Sequence, residues 1–133
     1  MVDGQVQRRG LLHLDYHPMN VLTNGKSITA VIDWANACIN DPVFDVARTF
    51  SMLRVEANRL QKDFGLTDQS VEEFERGWME GYREKGGVEG QLSSDLKAWA
   101  GFRMHRDLLG KRSGEELRII EGWAKSWLME EEA

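Results

Sequence analysis

Residues 13 to 20 read HLDYHPMN and hold the side chains of this chain that are best suited to chemistry. His13, Asp15 and Asn20 follow the spacing H-x-D-x-x-x-x-N. Phosphoryl transfer needs a carboxylate that accepts the proton of the attacking hydroxyl, and an amide oxygen nearby can help to hold Mg²⁺. The pattern therefore predicts a base at Asp15 and a metal ligand at Asn20. Taken alone, the segment also fits a polar turn, because Asp and Asn favour turns.

The same segment allows a second chemistry, that of a metal-dependent hydrolase. His13, Asp15 and His17 alternate along the chain, so on a β-strand their side chains would point to one side. Together with Asp33 they could hold Zn²⁺ or Mn²⁺ and activate a water molecule. Pro18 directly follows His17 and weakens this alternative, which also gives no role to the DPVFD segment at 41–45.

A hairpin is predicted to bring a second carboxylate to this segment. Asn24-Gly25 lies between two short apolar runs, and this dipeptide is a strong signal for a tight β-turn. We expect residues 21–23 to pair with residues 28–32, which places Asp33 where the second strand ends. One turn would then bring Asp33 towards Asn20, although the two residues lie 13 positions apart.

The second half of the chain predicts helices. Asp41 and Pro42 are typical of a helix start, and apolar residues continue at helical spacing as far as Ala57. Two S-x-x-E patterns, at residues 70–73 and 113–116, predict capping boxes for two further helices. The first of these should end at Gly86-Gly87, and another helix is expected over residues 92–108. The aromatic residues on these helices are interpreted as core packing.

Composition bounds the function. The 133 residues suit one domain, with 41% hydrophobic and 29% charged residues. A net charge of −5 argues against a nucleic-acid or anionic membrane partner and is compatible with a cationic substrate. The sequence holds no apolar run of membrane-spanning length and no signal-peptide pattern, so a cytoplasmic protein is expected. The single cysteine, Cys38, excludes an internal disulfide and is expected to be a packed residue.

Three motifs in order carry a resemblance to a known family. HLDYHPMNVL, then VIDW, then NDPVFDVA resemble the aminoglycoside phosphotransferase and choline kinase-like group, which shares the protein kinase architecture. That group typically shows His-Gly-Asp-x-His-Pro-x-Asn, Ile-Asp-Trp and Gly-Asp-Pro-x-x-Asp-Leu-Ala. This chain departs from the pattern at Leu14 and Asn40, where the group has glycine, and at Met19, where glycine is common.

The resemblance implies Mg²⁺ and ATP as cofactors and a small-molecule hydroxyl as acceptor. The acceptor could be cationic and meet Asp107 or Glu80, although both residues also suit a solvent-exposed surface. The implied site residues are the base Asp15, the Mg²⁺ ligands Asn20 and Asp33, and the supporting residues His13, His17 and Asp45. Asp45 would accept backbone N–H groups of the catalytic loop, and His13 would brace that loop.

The expected fold is mainly α with a short β-hairpin (α+β), a partial protein-kinase-like C-lobe that lacks the N-lobe. We expect one domain over 1–133, with a catalytic-loop and metal-ligand segment at 10–45 and a helical subdomain at 41–130. Only 12 residues precede His13, so the nucleotide-binding lobe of the group is not expected here.

The chain is therefore predicted to bind ATP weakly and to be inactive alone. A non-catalytic remnant, or one half of a partner-dependent enzyme, is the alternative. Apolar surface that the absent lobe would cover predicts a possible homodimer.

Overall fold

A computed structural model describes residues 9–85 and 92–132. Within these ranges short strands come first and helices follow, so the predicted fold class is confirmed. The strands are β1 (Gly10–Leu12), β2 (Val21–Thr23), β3 (Ile28–Val31) and β4 (Cys38–Asn40). The helices are α1 (Val43–Val55), α2 (Ala57–Phe64), α3 (Asp68–Glu84), α4 (Ser94–Asp107) and α5 (Gly114–Glu132).

Two antiparallel ribbons carry the segment with the predicted chemistry. β1 pairs with β4, with Gly10 opposite Asn40, and β2 pairs with β3, with Val21 opposite Val31. The chain between β1 and β4 therefore leaves one ribbon, forms the second, and returns to the first. β4 was not predicted, because its three residues are all exposed and show no alternation of buried and exposed positions.

The β2–β3 hairpin pairs the predicted segments, although β3 ends at Val31 rather than at Ile32. Asn24 Oδ1 accepts hydrogen bonds from the backbone N–H groups of Lys26 and Ser27 at 2.9 and 3.0 Å. Gly25 has φ +91°, a conformation that glycine adopts without steric cost. This turn chemistry explains why Asn-Gly marks the reversal of the chain.

α1 begins as predicted, but the helix ends earlier than expected. Asp41 Oδ1 accepts a hydrogen bond from the backbone N–H of Val43 at 3.0 Å. A single helix through Ala57 was the wrong prediction, because the chain turns at Glu56 before α2 begins. The turn allows Leu60 of α2 to pack in the same cluster as Leu53 of α1.

Only one of the two predicted capping boxes is present in the later helices. Ser113 and Glu116 form the predicted capping box, with Ser113 Oγ accepting from Glu116 N at 3.1 Å. The box predicted at 70–73 is wrong, because Thr67 caps α3 by accepting from Ser70 N at 3.0 Å. α3 ends at Glu84, and the predicted stop at Gly86-Gly87 lies outside the described residues.

The helical core forms where α1, α4 and α5 meet. Its closest contacts use small residues: Ala47, Ala100 and Ala124 are all 0% exposed. A Cβ on Gly101 would lie 2.6 Å from the Cβ of Ala124, so α4 and α5 approach too closely for any larger residue. The tryptophans of α4 and α5 are only half-buried and pack around this contact rather than inside it.

The β1–β4 ribbon carries exposed apolar side chains. Leu11 and Ile39 are opposite each other on β1 and β4 and are both exposed. Cys38 of β4 is also exposed, so its prediction as a packed residue was wrong.

None of the helices described here is long and apolar enough to cross a membrane.

Candidate active site

The catalytic-loop segment is tied to the start of α1 by one carboxylate. Asp45 Oδ2 accepts from the backbone N–H of His13 at 3.0 Å, and Asp45 Oδ1 accepts from that of Leu14 at 2.9 Å. Charge-assisted hydrogen bonds of this kind are stronger than neutral ones. Asp45 therefore meets the loop in the way that the sequence comparison implied.

His13 connects the loop to the end of the hairpin. Its Nδ1 accepts from the backbone N–H of Asp15 at 3.0 Å, so the ring proton of the neutral form sits on Nε2. That Nε2–H then donates to the carbonyl oxygen of Ile32 at 2.8 Å. The ring is 3% exposed and stands edge-on to Trp34. Both ring nitrogens are thus used by the backbone, and His13 braces the site.

The loop contains a left-handed residue between His13 and Asp15. Leu14 has φ +66°, and its side chain is buried. A β-carbon makes this conformation costly, which explains why the group with similar motifs has glycine at the position of Leu14. The leucine is held there from α1, because Arg48 Nε donates to the Leu14 carbonyl oxygen at 3.1 Å.

Asp15 and Asn20 lie in direct contact. Asn20 Nδ2 donates to the carbonyl oxygen of Asp15 at 2.8 Å and to its carboxylate Oδ2 at 3.3 Å. Asn20 is buried, whereas Asp15 is partly exposed. The contact orients the asparagine amide and leaves the carboxylate of Asp15 partly exposed.

His17 completes the cluster. Its Nδ1 accepts from the backbone N–H of Met19 at 3.2 Å, which directs Nε2 towards Asp15 Oδ1 at 3.5 Å. Burial lowers the pKa of His17, while the negative charges of Asp15 and Asp33 oppose that decrease. The lowered pKa favours the neutral imidazole, whose Nε2 lies near both the carboxylate of Asp15 and, at 3.3 Å, Nδ2 of Asn20.

Asp33 is brought to the same region by the hairpin. The backbone N–H of Ile32 donates to the Asn20 carbonyl oxygen at 2.9 Å, so the residue before Asp33 lies against Asn20. Asp33 has φ +63° and is exposed. The negative charge of Asp33 also opposes the decrease that burial causes in the pKa of His17.

The donor set of Asn20 and Asp33 fits a magnesium ion. None of the hydrogen bonds in the described part of the chain uses Asn20 Oδ1 or the Asp33 carboxylate. Both are hard oxygen ligands of the kind that Mg²⁺ prefers. Among residues 9–85 and 92–132, no three His, Cys, Asp or Glu side chains form a metal-binding group. The hydrolase alternative therefore lacks support, since both ring nitrogens of His13 are already used.

Beside Asp15 lies a cavity of about 490 Å³ that sequence reasoning missed. Its wall combines loop residues with side chains of α1, α2 and α4 and of the turn after α4. The charged residues in the wall are Asp15, Arg48, Glu56, Arg59, Asp107, Lys111 and Arg112. The sequence feature that could have indicated this cavity is Arg48, a charged residue three positions after Asp45 on the buried face of α1.

Comparison with known proteins agrees with this geometry. A family model described as "Phosphotransferase enzyme family" matches residues 3–87, which is more than half of the chain. Hygromycin-B 4-O-kinase of Escherichia coli is 48% identical over 42 residues, which cover 32% of this chain and 12% of that relative. This chain therefore matches only a small part of the length of the relative. No solved structure matches the chain significantly.

The loop geometry and the family match lead to the same assignment: the chain belongs to the phosphotransferase enzyme family.

Proposed function

We propose that this chain carries the base and metal ligands of a kinase that moves the γ-phosphoryl group of ATP to a small-molecule hydroxyl. The observation that supports this most directly is the contact of Asn20 with Asp15, in a loop that Asp45 holds by two backbone N–H groups. Catalysis of phosphoryl transfer depends mainly on such positioning and on charge stabilisation.

Each residue of the cluster has a part in the proposed reaction. Asp15 accepts the proton of the acceptor hydroxyl as its oxygen attacks the γ-phosphorus, and ADP leaves. Asn20 and Asp33 would hold Mg²⁺, which neutralises charge on the phosphates when it is bound. His13, His17 and Asp45 keep the loop in position. In this proposal residues 10–45 form the chemical unit and 41–130 the helical unit of one domain.

The chain by itself is proposed to bind ATP weakly and to turn over slowly. Kinases of this architecture contact the ATP phosphates through a lysine on a strand. In the part of the chain that the structure describes, no lysine lies on a strand: Lys26 is in the hairpin turn, Lys111 is in the turn between α4 and α5, and the others lie on or directly after helices. A non-catalytic remnant and a partner-dependent half both remain compatible with this proposal.

The acceptor class is proposed as a hydroxyl-bearing small molecule, for which hygromycin B and choline are the first compounds to test. The expectation of a cationic acceptor depended on Asp107 and Glu80. Asp107 is paired with Arg48 and Arg103, and Glu80 is exposed on α3 away from the cavity beside Asp15. Neither carboxylate supports recognition of a cation at this cavity.

Metal binding tests the proposed site without requiring turnover. Mn²⁺ is paramagnetic and replaces Mg²⁺ at oxygen sites, so we expect it to broaden the NMR signals of Asn20 and Asp33 first. Asp33→Asn should weaken this effect at least threefold. Asp95→Asn, the same change at an exposed residue of α4, is the matched control and should leave it unchanged. Broadening centred on another region would overturn the proposed metal site.

Turnover then separates the enzyme from the remnant. With Mg²⁺ and ATP, the chain alone should phosphorylate hygromycin B or choline far more slowly than the roughly 1 s⁻¹ of ordinary kinases. Addition of a separate polypeptide that carries a nucleotide-binding lobe should raise the rate, and Asp15→Asn should abolish the increase. A rate near 1 s⁻¹ without that polypeptide would contradict the proposed dependence on a partner.

A further inference from the structure

The cavity beside Asp15 has an unusual charge distribution for a phosphotransferase whose acceptor was expected to be cationic. Its wall contains four cationic side chains, those of Arg48, Arg59, Lys111 and Arg112. At about 490 Å³ it has the size of a small-molecule site, and Asp15 lines it. A hydroxyl group placed at Asp15 would leave the remainder of an acceptor facing these cations.

The carboxylates in the wall are already neutralised. Glu56 Oε2 lies 3.6 Å from Arg59 Nε and 3.6 Å from Arg112 Nη2. An amino group on an acceptor would therefore have to compete with two guanidinium groups for this carboxylate.

Asp107 is in the same situation. Its Oδ2 lies 3.1 Å from Arg103 Nε and 3.5 Å from Arg48 Nη2, and Oδ1 lies 3.5 Å from Arg106. Only Asp15 is left to attract a cation, and Asp15 faces the hydroxyl in the proposed reaction.

Among the cations, Arg59 and Arg112 are paired with carboxylates, whereas Arg48 and Lys111 have unused hydrogen-bonding capacity. Arg48 is 4% exposed, and its Nη1 has no hydrogen-bond partner among the described residues. Arg112 Nε is buried without a hydrogen bond in that part of the chain, and Glu116 Oε2 lies 3.9 Å from it. Lys111 forms no ion pair with any residue that the structure describes. A buried N–H without an acceptor is costly, and an anionic oxygen would remove that cost.

We propose that this cavity selects acceptors in which the reacting hydroxyl is accompanied by an anionic group, a carboxylate or a phosphate. The inference rests on the proposed function for the approach of the hydroxyl to Asp15. The anionic group would lie on the side of the cavity formed by Arg48 and Lys111, where the guanidinium and ammonium groups donate hydrogen bonds to it.

Binding of small probes to the whole chain tests the charge preference without ATP or metal. The probes are glycerol, glycerol 3-phosphate, glycerate and choline, which share a hydroxyl and differ in charge. We expect one of the two anions to bind at least tenfold more tightly than glycerol or choline and to shift the Nε–H NMR signals of Arg48 and Arg112. Whichever anion binds more tightly identifies the anionic group. Choline or glycerol binding as tightly as both anions would overturn the inference, as would binding of none of them at 10 mM.

Two lysine variants show whether the cavity is responsible. Lys111→Gln should weaken binding of the preferred anion about threefold to fivefold, the size expected for loss of one exposed charge contact. Lys62→Gln removes the same charge from an exposed position on α2 outside this cavity and should change the affinity less than twofold. Equal effects of the two variants would show general screening and contradict the inference.

The two proposals can fail separately. If Mn²⁺ does not broaden Asn20 and Asp33 but the anions still bind beside Arg48, the kinase proposal fails and the charge preference holds. If the metal binds at Asn20 and Asp33 but choline is preferred in the cavity, the charge preference fails and the kinase proposal holds.

Discussion

Arg48 Nε donates a hydrogen bond to the carbonyl oxygen of Leu14, and this 3.1 Å contact joins the buried face of α1 to the residue before the predicted base. The same side chain reaches Asp107 of α4 through Nη2. Burial lowers the pKa of Arg48, and the charge of Asp107 opposes that change. One side chain thus connects the catalytic loop with two helices.

Arg48→Met should destabilise the protein by about 2 to 3 kcal/mol, because it removes a hydrogen bond from a buried charged donor and leaves the Leu14 carbonyl oxygen unpaired. Urea unfolding measures this free energy. Arg54→Met is the matched control on the same helix, since Arg54 is 55% exposed and its ion pair with Glu75 should contribute at most about 1 kcal/mol. Equal losses in the two variants would contradict the proposed connection.

Asp45→Asn should cost about 2 kcal/mol, because the amide can accept only one of the two backbone N–H groups and turns its own donors towards the other. Asp41→Asn makes the same chemical change four residues earlier and should have almost no effect, because Asn caps a helix as well as Asp does. Thermal unfolding of the two variants measures the difference. A loss at Asp41 as large as that at Asp45 would show that the loop contacts have no special importance.

At Leu14 the glycine variant should be more stable than the alanine variant, the reverse of the usual order. Leu14→Gly should be more stable than Leu14→Ala by about 1 kcal/mol, because glycine adopts φ +66° without the steric cost that a β-carbon brings. At Leu12, a buried residue of β1, the glycine variant should be the less stable of the two. The four unfolding free energies test this, and an alanine variant that is the more stable one at both positions would disprove it.

Protonation of His17 should destabilise the fold. Its pKa is lower in the folded protein than the ordinary value of 6.5, because burial disfavours the charged imidazole. The unfolded chain therefore binds more protons between these two values, and the stability that His17 contributes above pH 6.5 is lost as the pH falls through the folded pKa. The decrease in unfolding free energy between pH 7.5 and pH 5 should be smaller in His17→Gln. Identical decreases would mean that other groups cause the pH dependence.

The sequence predicted the mainly α fold class with its hairpin, and it pointed to a set of candidate site residues. His13, Asp15, Asn20 and Asp45 stand at fixed intervals, and the turn chemistry of Asn24-Gly25 is local, so both could be recognised without a structure. The structure brings these side chains together. Their roles in catalysis stay predictions, because contact geometry does not measure activity.

The features that the sequence did not predict depend on long-range contacts. β4 exists because Gly10 and Asn40 meet across about 30 residues, and nothing in its own residues indicates a strand. The separation of α1 from α2 depends on where Leu60 can pack. Arg48 resembled an ordinary helical residue until its contacts with Leu14 and Asp107 were visible.

The pairing of β1 with β4 has a consequence for how this region can change in evolution. Because Gly10 and Asn40 are held side by side, the polypeptide between them begins and ends at one fixed point on the helical body. The free-energy cost of closing such a loop, which comes from lost chain entropy, rises only slowly with the length of the loop. Insertions or deletions at the exposed tip around Lys26 should therefore be tolerated, since α1 receives the chain from β4 in the same place whatever the length of the tip.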